Sequence, residues 1–203
     1  MVKHIFSASV LALVAQSAFA DQTYIMNLNF AGSGCSPADS SASLYDTNSD
    51  GLPDQFSIYF STYVAQQGPG LTLAERRKNC NVGVQLHLPQ GYQFSIANVR
   101  YIGYADLPAG VLGRQKSTYE FPFFSNSVTL QSVLPGPYTG GYERTDNLGI
   151  SSVVWSPCGL NTPLNIRTQV ALEGASLPRA ALTTDQIDGR VRQVYGLVWR
   201  ACH

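Results

Sequence analysis

The amino-acid sequence predicts an all-β protein, an antiparallel β-sandwich of jelly-roll or immunoglobulin-like type with at most one short helix and two disulfides. Several short segments alternate apolar and polar residues with a period of two, which is the pattern of a half-buried strand. Turn-forming residues separate these segments, since the 203-residue chain contains 18 glycines and 11 prolines. No stretch shows the period of a long amphipathic helix, so two packed layers of strands are the expected architecture.

The clearest alternation runs from Cys80 to Leu88, and it returns between Leu164 and Glu173. In these two segments we expect one buried apolar face, formed by Val82, Val84, Leu86, Leu88, Leu164, Ile166, Val170 and Leu172. Solvent-facing positions are then occupied by Gln85, His87, Arg167 and Gln169. A third segment is predicted to bury Phe56, Ile58, Phe60, Thr62 and Val64.

Weaker strand candidates and the breaks between strands complete the predicted order of elements. The candidates cover residues 24–30, 94–104, 128–133, 152–155 and 194–202. Pro89–Gly91 predicts a tight turn, and the proline- and glycine-rich run Pro135–Gly141 predicts a loop without regular structure. One short helix is expected after Gly70, because Thr72 and Glu75 have the spacing of a capping box.

The first twenty residues have the pattern of a secretory signal peptide. A short basic start at Lys3 and His4 precedes an apolar run over residues 5–14, and Ala18-Phe19-Ala20 follows. Small residues at these two alanine positions are what a signal peptidase requires, so we expect cleavage after Ala20. A single secreted β-sandwich domain is predicted over residues 21–203. No later segment is long and apolar enough to predict membrane insertion.

The charge balance excludes one class of partner. The formal net charge is +0, and removal of Lys3 with the leader changes it by one unit, to −1. No cluster of basic residues suggests a surface for polyanions, so the sequence predicts no nucleic-acid partner.

Four cysteines, an even number, indicate two disulfides in an oxidising compartment. They are Cys35, Cys80, Cys158 and Cys202. Three pairings are possible, and the sequence alone does not choose between them. We favour Cys35–Cys80 with Cys158–Cys202, because Trp155–Cys158 and Trp199–Cys202 repeat one spacing and are predicted to lie side by side on neighbouring strands.

Stretches such as Gly32–Cys35, Pro89–Ser95 and Trp199–Cys202 resemble those of an uncharacterised family of small secreted fungal and bacterial proteins, domain-of-unknown-function family number 4360. The similarity covers nearly all of the chain after the leader and implies a secreted single-domain protein with the four cysteines as its framework, without implying an activity. The chain departs from the family pattern between Asp46 and Asp54. The matching stretches are Gly32–Cys35, Arg77–Cys80, Pro89–Ser95, Gly103–Ala105, Trp155–Gly159, Leu164–Ile166 and Trp199–Cys202.

This divergent stretch is also the sharpest local motif, because its oxygen-bearing residues have the spacing of a calcium loop. The predicted ligands are Asp46, Asn48, Asp50, the carbonyl of Leu52, and Asp54. Ser57 stands where an EF-hand has its bidentate glutamate, and no flanking helices are predicted. The alternative interpretation is a polar hairpin turn, since turns use the same residue types. Calcium is the one cofactor that the sequence suggests.

Evidence for catalysis is weak in this sequence, and we assign no catalytic residue. There is no Gly-x-Ser-x-Gly motif, and His87 and His203 are expected to be solvated surface residues. Two pairs of neighbouring carboxylates are candidates for glycoside hydrolysis, each expected in a loop. The pairs are Glu143 with Asp146, and Asp185 with Asp188.

Aromatic residues are concentrated around the proline- and glycine-rich run. Rings on loops of a sandwich can stack on sugars or anchor a protein partner. The candidate ligand-facing rings, with Phe121 beside them, are Tyr119, Phe123, Phe124, Tyr138 and Tyr142. The alternative is that these rings belong to the core.

Together these features predict a secreted, non-catalytic extracellular protein, either a binding module or a surface component, whose ligand is an unknown glycan or protein. A rigid β scaffold that carries function on its surface supports this interpretation. The alternative is a secreted hydrolase that acts on polysaccharide through loop carboxylates.

Overall fold

Two antiparallel sheets pack face to face in the computed structural model, which describes residues 22–122, 126–149, 152–174, 178–183 and 191–202. The predicted signal peptide, residues 1–20, lies outside this described part of the chain. The strands within it are β1 (Tyr24–Gly32), β2 (Ser40–Tyr45), β3 (Gln55–Phe60), β4 (Val64–Gln67), β5 (Arg77–His87), β6 (Tyr92–Leu107), β7 (Val111–Glu120), β8 (Ser127–Pro135), β9 (Tyr138–Asn147), β10 (Pro163–Gly174), β11 (Ala180–Thr183) and β12 (Val191–Ala201).

The strand order is that of a jelly roll with additional edge strands. Sheet A has the order β1-β5-β10-β7-β8, and sheet B has the order β2-β3-β12-β6-β11-β4, with β9 also paired to β6. Eight strands form nested pairs, β7 with β8 innermost, then β6 with β9, β5 with β10, and β3 with β12. This is a long hairpin rolled into two layers, so the predicted antiparallel sandwich is confirmed and its jelly-roll form is identified.

The two clearest alternations form β5 and β10, which pair with each other at the centre of sheet A. All eight residues predicted to be buried are at most 4% exposed. Arg167 is exposed, and Gln85, His87 and Gln169 are half-buried on the outer face. His87 owes its partial burial to the ring of Tyr24 on β1, which stacks on it at 4.7 Å. The period-two prediction therefore holds for both strands.

The third predicted alternation is correct only as far as Phe60. Thr62 is exposed and Val64 is half-buried, whereas Tyr63 and Ala65 are completely buried. The chain bends between β3 and β4, where the Thr62 hydroxyl donates to Asp39 at 2.9 Å and the Val64 N–H donates to the Thr62 carbonyl at 2.9 Å. This tight bend shifts the alternation by one residue and exchanges its two faces.

Two weaker predictions are also wrong. Residues 152–155 form no strand. In the run predicted to be a loop, Pro135 ends β8 and Tyr138 begins β9, so only Gly136 and Pro137 lie outside strands. This two-residue connection between β8 and β9 requires a glycine at position 136, because a Cβ atom there would lie 2.2 Å from the carbonyl oxygen of Pro108.

The predicted short helix is present as a single 3-10 turn over Leu73–Arg76. Thr72 occupies the N-cap position without a side-chain hydrogen bond, and its carbonyl accepts the Glu75 N–H at 3.1 Å. Glu75 pairs instead with Lys78 at 2.8 Å. No helix in the described ranges is long and apolar enough to cross a membrane.

Buried tyrosines supply much of the volume between the sheets. Tyr63, Tyr101, Tyr119 and Tyr195 are all 0% exposed. Each buried hydroxyl has a partner on the opposite layer or a neighbouring strand; for example, those of Tyr63 and Thr168 lie 2.7 Å apart. The Tyr119 hydroxyl donates to the Ile96 carbonyl at 2.9 Å. The core therefore combines apolar packing with satisfied internal hydrogen bonds.

Disulfides join Cys35 to Cys80 and Cys158 to Cys202, which is the pairing that we favoured. The reason given for the second one is only partly right. The Ser156 N–H donates to the Phe94 carbonyl at 2.8 Å, whereas Trp199 is the partner of Phe94 on β12. The start of β6 therefore lies between the two Trp-x-x-Cys segments, and the disulfide bridges across it.

Candidate functional site

The outer face of sheet B carries several shallow depressions. Four depressions of about 300 to 400 Å³ open on this face or at its rim. β12 crosses the face between β3 and β6, and its outward positions run from Arg192 to Arg200. We call this band the β12 strip, formed by Tyr45, Gln55, Tyr59, Gln93, Asn98, Arg100, Glu143, Trp155, Arg192, Gly196 and Arg200.

A glycine forms the floor at the middle of the β12 strip. Gly196 is paired with Gln55 on β3 and with Asn98 on β6, and the three line one depression of about 300 Å³. A Cβ atom at Gly196 would lie 2.6 Å from the Asn98 amide nitrogen. The absence of a side chain therefore creates the recess and leaves room for the two amides beside it.

An ion pair borders this recess on the side of β9. Arg100 of β6 and Glu143 of β9 lie 3.2 Å apart on the outer face. Beneath and beside them, Ile102 is 7% and Val194 is 4% exposed. The pair covers apolar side chains of the strands and presents a charged, hydrogen-bonding surface to the solvent.

Two tyrosines and an arginine form one end of the strip. The hydroxyls of Tyr45 and Tyr59 lie 2.6 Å apart. Burial raises the pKa of Tyr59, but hydrogen bonds from Tyr45 and from Arg192 outweigh it and lower that pKa below its ordinary value. The pKa of Tyr45 is raised, chiefly by its hydrogen bond to Tyr59. The two hydroxyls share one hydrogen bond, and this end presents aromatic rings and a guanidinium group in contact with each other.

A tryptophan and an arginine form the other end. The Arg200 guanidinium carbon lies 4.1 Å from the centre of the Trp155 ring, which is the geometry of a cation–π contact. Arg200 also donates to the Gln93 side-chain oxygen at 3.1 Å. These side chains line a depression of about 400 Å³ next to the Cys158–Cys202 disulfide.

The outer face of sheet A carries two bidentate arginine–glutamate pairs that link neighbouring strands. Arg167 binds both carboxylate oxygens of Glu120, at 2.6 and 2.9 Å, and Arg114 binds both of Glu173 at 2.8 Å. The pKa of Glu173 is lowered, mainly by its hydrogen bonds to Arg114. These pairs satisfy one another, so they stabilise the sheet rather than form a recess.

The calcium-loop motif forms a polar turn before β3. Asp46 accepts hydrogen bonds from the N–H groups of Ser49 and Gly51, both at 2.8 Å, and Asp50 accepts that of Leu52 at 2.8 Å. Asn48 binds Asp50, whose N–H donates to the Asn48 side-chain oxygen at 3.1 Å.

The last predicted ligand, Asp54, accepts both the backbone N–H and the hydroxyl of Thr47, and these bonds lower its pKa. Within the described residues, no group of three or more histidines, cysteines, aspartates or glutamates could hold a metal ion. The predicted ligand oxygens serve as acceptors for the turn's own backbone, which is the alternative interpretation made from sequence. Calcium binding by this loop stays a prediction.

Two of the predicted ligand-facing aromatics are instead core residues. Tyr119 is 0% and Tyr142 is 5% exposed, and the Tyr142 hydroxyl donates to the Thr183 carbonyl at 2.6 Å. Tyr138 is half-buried, with its hydroxyl bonded to the Gly141 carbonyl. Phe123 and Phe124 lie outside the described residues. The prediction of a ligand-facing cluster is therefore wrong for Tyr119 and Tyr142. Both rings occupy buried positions of strands, where they point into the core.

The carboxylate pair proposed for hydrolysis does not converge. Glu143 and Asp146 belong to strand β9, not to a loop. Their separation of three residues places them on opposite faces of that strand. Glu143 faces outward to Arg100, whereas burial raises the pKa of Asp146 on the inner side. Asp185, Asp188 and His203 lie outside the described residues.

Strands in jelly-roll order, two disulfides and a recessed polar face define this protein as a disulfide-linked β-sandwich, a scaffold that holds its surface side chains in fixed positions.

The chain belongs to the family described as Domain of unknown function (DUF4360), whose model matches residues 21–202. It is 36% identical over 183 residues to an "Uncharacterized secreted protein" of Arthroderma benhamiae, an alignment that covers 90% of this chain and 73% of the relative. The disulfides of this chain fit the same extracellular setting.

A solved structure of TmCBM61 in complex with beta-1,4-galactotriose gives a TM-score of 0.30 at 8% identity, over 87% of this chain and 90% of that one. A TM-score of this size establishes neither a shared fold nor a shared ligand.

Proposed function

We propose that this protein is a secreted, non-catalytic polysaccharide-binding protein that holds a glycan chain along the β12 strip. The observation that carries the proposal is the glycine-floored recess between Gln55, Asn98 and Arg100. The strip continues from this recess to the exposed ring of Tyr45 at one end and to the half-buried ring of Trp155 at the other. The ligand is a polymer segment rather than a single sugar, because Arg192 and Arg200 are eight residues apart on one strand. At about 3.3 Å per residue, that distance is about 26 Å.

The side chains of the strip have the chemistry that sugars require. Amides of Gln55 and Asn98 offer both donors and acceptors, and Arg100 with Glu143 offers charged ones. The rings of Tyr45 and Trp155 at the two ends provide flat apolar surfaces for the C–H faces of sugar rings. A polar recess between aromatic ends therefore suits an extended glycan.

Preorganisation adds to the affinity of such a surface. Most strip residues stand on paired strands, and the Arg100–Glu143 and Tyr45–Tyr59 contacts hold the side chains in place before a ligand arrives. Binding then requires little ordering of side chains, which reduces its entropic cost. A hydrolase would need two carboxyl groups about 5 to 10 Å apart across the bond to be cleaved, and Glu143 and Asp146 do not supply them.

Export by the leader forms part of this proposal. The basic start, the apolar run and the Ala18–Ala20 motif support cleavage after Ala20, with residues 21–203 acting as one extracellular domain. N-terminal sequencing of protein recovered from the medium should give Asp21 as the first residue. Any other start contradicts the cleavage site and leaves the binding proposal intact.

A matched pair of glycine substitutions tests the binding surface. Gly196→Ala places a methyl group on the floor of the strip, against the Asn98 amide, whereas Gly83→Ala places one on the outer face of sheet A with its nearest neighbours at 3.9 Å. Each variant is compared with wild type by affinity electrophoresis and calorimetry on a panel of neutral and acidic polysaccharides.

We expect Gly196→Ala to weaken binding about twofold to tenfold, the value of one hydrogen bond, and Gly83→Ala to leave binding unchanged. Equal effects of the two substitutions would place the site elsewhere. A wild-type protein that binds no polysaccharide of the panel, in soluble or insoluble form, would overturn the proposed function and favour a protein partner.

A further inference from the structure

We propose that the Trp155–Arg200 depression is a subsite for a carboxylate, so that the polysaccharide held by the β12 strip is an acidic one. This inference deepens the proposed function and rests on it. It names a ligand class, a chain that carries carboxyl groups, and the residue that recognises it, Arg200.

The guanidinium group of Arg200 is oriented before any ligand arrives. Its central carbon lies over the Trp155 ring at 4.1 Å from the ring centre, and one of its nitrogens donates to the Gln93 side-chain oxygen at 3.1 Å. An arginine has five N–H donors. Within the described residues Gln93 is the one hydrogen-bond partner of Arg200, so further donors remain for a ligand.

Three other arginines on the two outer faces are each paired with a carboxylate, and Arg200, within the described ranges, is not. Arg114, Arg167 and Arg100 hold carboxylates of this chain at 2.8, 2.6 and 3.2 Å. Arg200 has no such carboxylate among the described residues. Within the described part of the chain, Arg200 thus presents a guanidinium group that has a fixed neighbour on each side and no carboxylate partner, at the edge of a depression.

The charge of the depression points to an anion. Its described lining residues include one charged side chain, that of Arg200, and no acid. The remaining walls are polar or apolar, with Val153, Val154 and Pro157 beside the Trp155 ring. A carboxylate would complete a bidentate, charge-assisted pair with Arg200, while these walls contact the sugar that bears it.

A polymer pair that differs only in charge tests the inference. Polygalacturonate and its methyl ester share one backbone, and the ester lacks the carboxylates. Calorimetry compares wild type, Arg200→Gln, Arg200→Lys and Arg167→Gln, the last of which removes an arginine from the outer face of sheet A. Melting curves verify that every variant is folded. A sulfated polysaccharide distinguishes carboxylate recognition from a general attraction to anions.

We expect wild type to bind polygalacturonate at least about tenfold more tightly than the ester, which is a typical value for one charge-assisted pair. Arg200→Gln should remove that preference, so that this variant binds the two polymers with equal affinity. Arg200→Lys should retain only part of the preference, because lysine lacks the planar fork. Arg167→Gln should behave like wild type. Equal binding of both polymers by wild type would overturn the carboxylate subsite while the proposed function stands.

A monosaccharide experiment separates the failure of the subsite from the failure of the proposed function. D-Galacturonate should shift the NMR signal of the Trp155 indole in wild type and not in Arg200→Gln, and D-galactose should shift it in neither. If no polysaccharide binds and this shift persists, the proposed function fails and the carboxylate site stands. If galacturonate and galactose act alike on wild type, the carboxylate site is overturned.

Discussion

Tyrosine hydroxyls in the core are the residue-scale feature on which the packing of the two sheets depends. The hydroxyl of Tyr195, on β12, lies 2.8 Å from that of Ser117 on β7 in the opposite sheet, and it donates to Gln193 at 2.8 Å. Burial raises the pKa of Tyr195 well above its usual range, so the ring stays neutral at all physiological pH values. One phenol thus joins the sheets without placing a charge between them.

The substitution Tyr195→Phe keeps the ring and removes the hydroxyl. Ser117 and Gln193 are 0% exposed, so both lose a partner where water cannot replace it. We expect the free energy of unfolding to fall by about 1 to 3 kcal/mol in urea denaturation. Tyr104→Phe is the control, because Tyr104 is 41% exposed; it should change stability by less than about 0.5 kcal/mol. Equal losses for the two variants would contradict the role given to the buried hydroxyl.

Asp146 gives a pH-dependent prediction at the same scale. Burial raises its pKa above 3.8, and its Oδ2 atom has no hydrogen-bond partner among the described residues. The folded state therefore binds the proton more tightly than the unfolded state does. The resulting stability is fully present below about pH 3.8, the unfolded-state value, and is lost as the pH rises through the folded-state pKa.

Asp146→Asn should accordingly be more stable than wild type at pH 7 and lose that advantage below about pH 3.8. The gain should stay within about 1 kcal/mol, since the carboxyl group remains partly solvated. Denaturation curves at several pH values measure it. A variant that is less stable than wild type at neutral pH would show that the Asp146 charge stabilises the fold.

The turn before β3 is an element whose carboxylates act on the backbone. Asp46 alone accepts two N–H groups across the turn, both at 2.8 Å. Asp46→Ala removes both bonds, and we expect a loss of about 1 to 2 kcal/mol in unfolding free energy in the presence of chelator. Asn48→Ala is a milder control, because its side-chain oxygen accepts one N–H at 3.1 Å.

Calcium is tested on the same proteins by melting with added calcium or with chelator. If the loop binds calcium, the melting temperature of wild type rises with calcium, and this response disappears in Asp50→Ala. If the carboxylates serve only the turn, calcium leaves all melting temperatures unchanged, and only the chelator-independent loss in Asp46→Ala remains.

Some elements could be predicted from the sequence because their inward positions are uniformly apolar. β5 and β10 are of this kind. β7 alternates just as regularly in burial, yet its inward positions hold Gly113, Gln115 and Ser117. These residues give no hydrophobic signal in the sequence. Gln115 and Ser117 point inward and form hydrogen bonds with the hydroxyls of Tyr142 and Tyr195. The inward positions of such a strand are explained only by the hydrogen-bond partners that the opposite sheet provides, so sequence patterns alone do not identify it.

The candidate site could not be predicted from the sequence for a related reason. Gln55, Asn98, Arg100 and Gly196 stand on three different strands. The first three occupy solvent-facing positions that any polar residue could fill, and no sequence pattern marks Gly196 as the floor between them. Their approach to one another follows from the strand order of sheet B. The Trp155–Cys158 and Trp199–Cys202 repeat was the one sequence signal near the strip, and it pointed to a disulfide rather than to a surface.

The disulfides act on the whole molecule. Cys35–Cys80 and Cys158–Cys202 span 45 and 44 residues. Each should therefore reduce the entropy of the unfolded chain by a similar amount, which raises the free energy of unfolding by about 4 kcal/mol. Replacing both cysteines of a pair with alanine should cost more at Cys35–Cys80, because those residues are 5% and 0% exposed and Cys158 is exposed. Denaturation of the two double variants measures the difference.

Binding provides a second measurement on the same variants. Loss of Cys158–Cys202 should also weaken polysaccharide binding, because Cys158 lines the Trp155–Arg200 depression. Loss of Cys35–Cys80 should leave binding unchanged in protein that remains folded. A binding defect in both double variants, or in neither, would contradict the local role given to the second disulfide.

The position of β12 determines when the molecule can fold during its synthesis. β12 is the last strand of the described chain, yet it lies in the middle of sheet B, between β3 and β6. Until β12 has been synthesised, the two halves of that sheet have no hydrogen-bonded connection, and Phe94 has no partner among the described strands. Long-range pairing of this kind makes folding slow and leaves apolar strands exposed to aggregation. Sheet B therefore cannot close before β12 has been synthesised, and until then the chain stays open enough to thread a narrow channel.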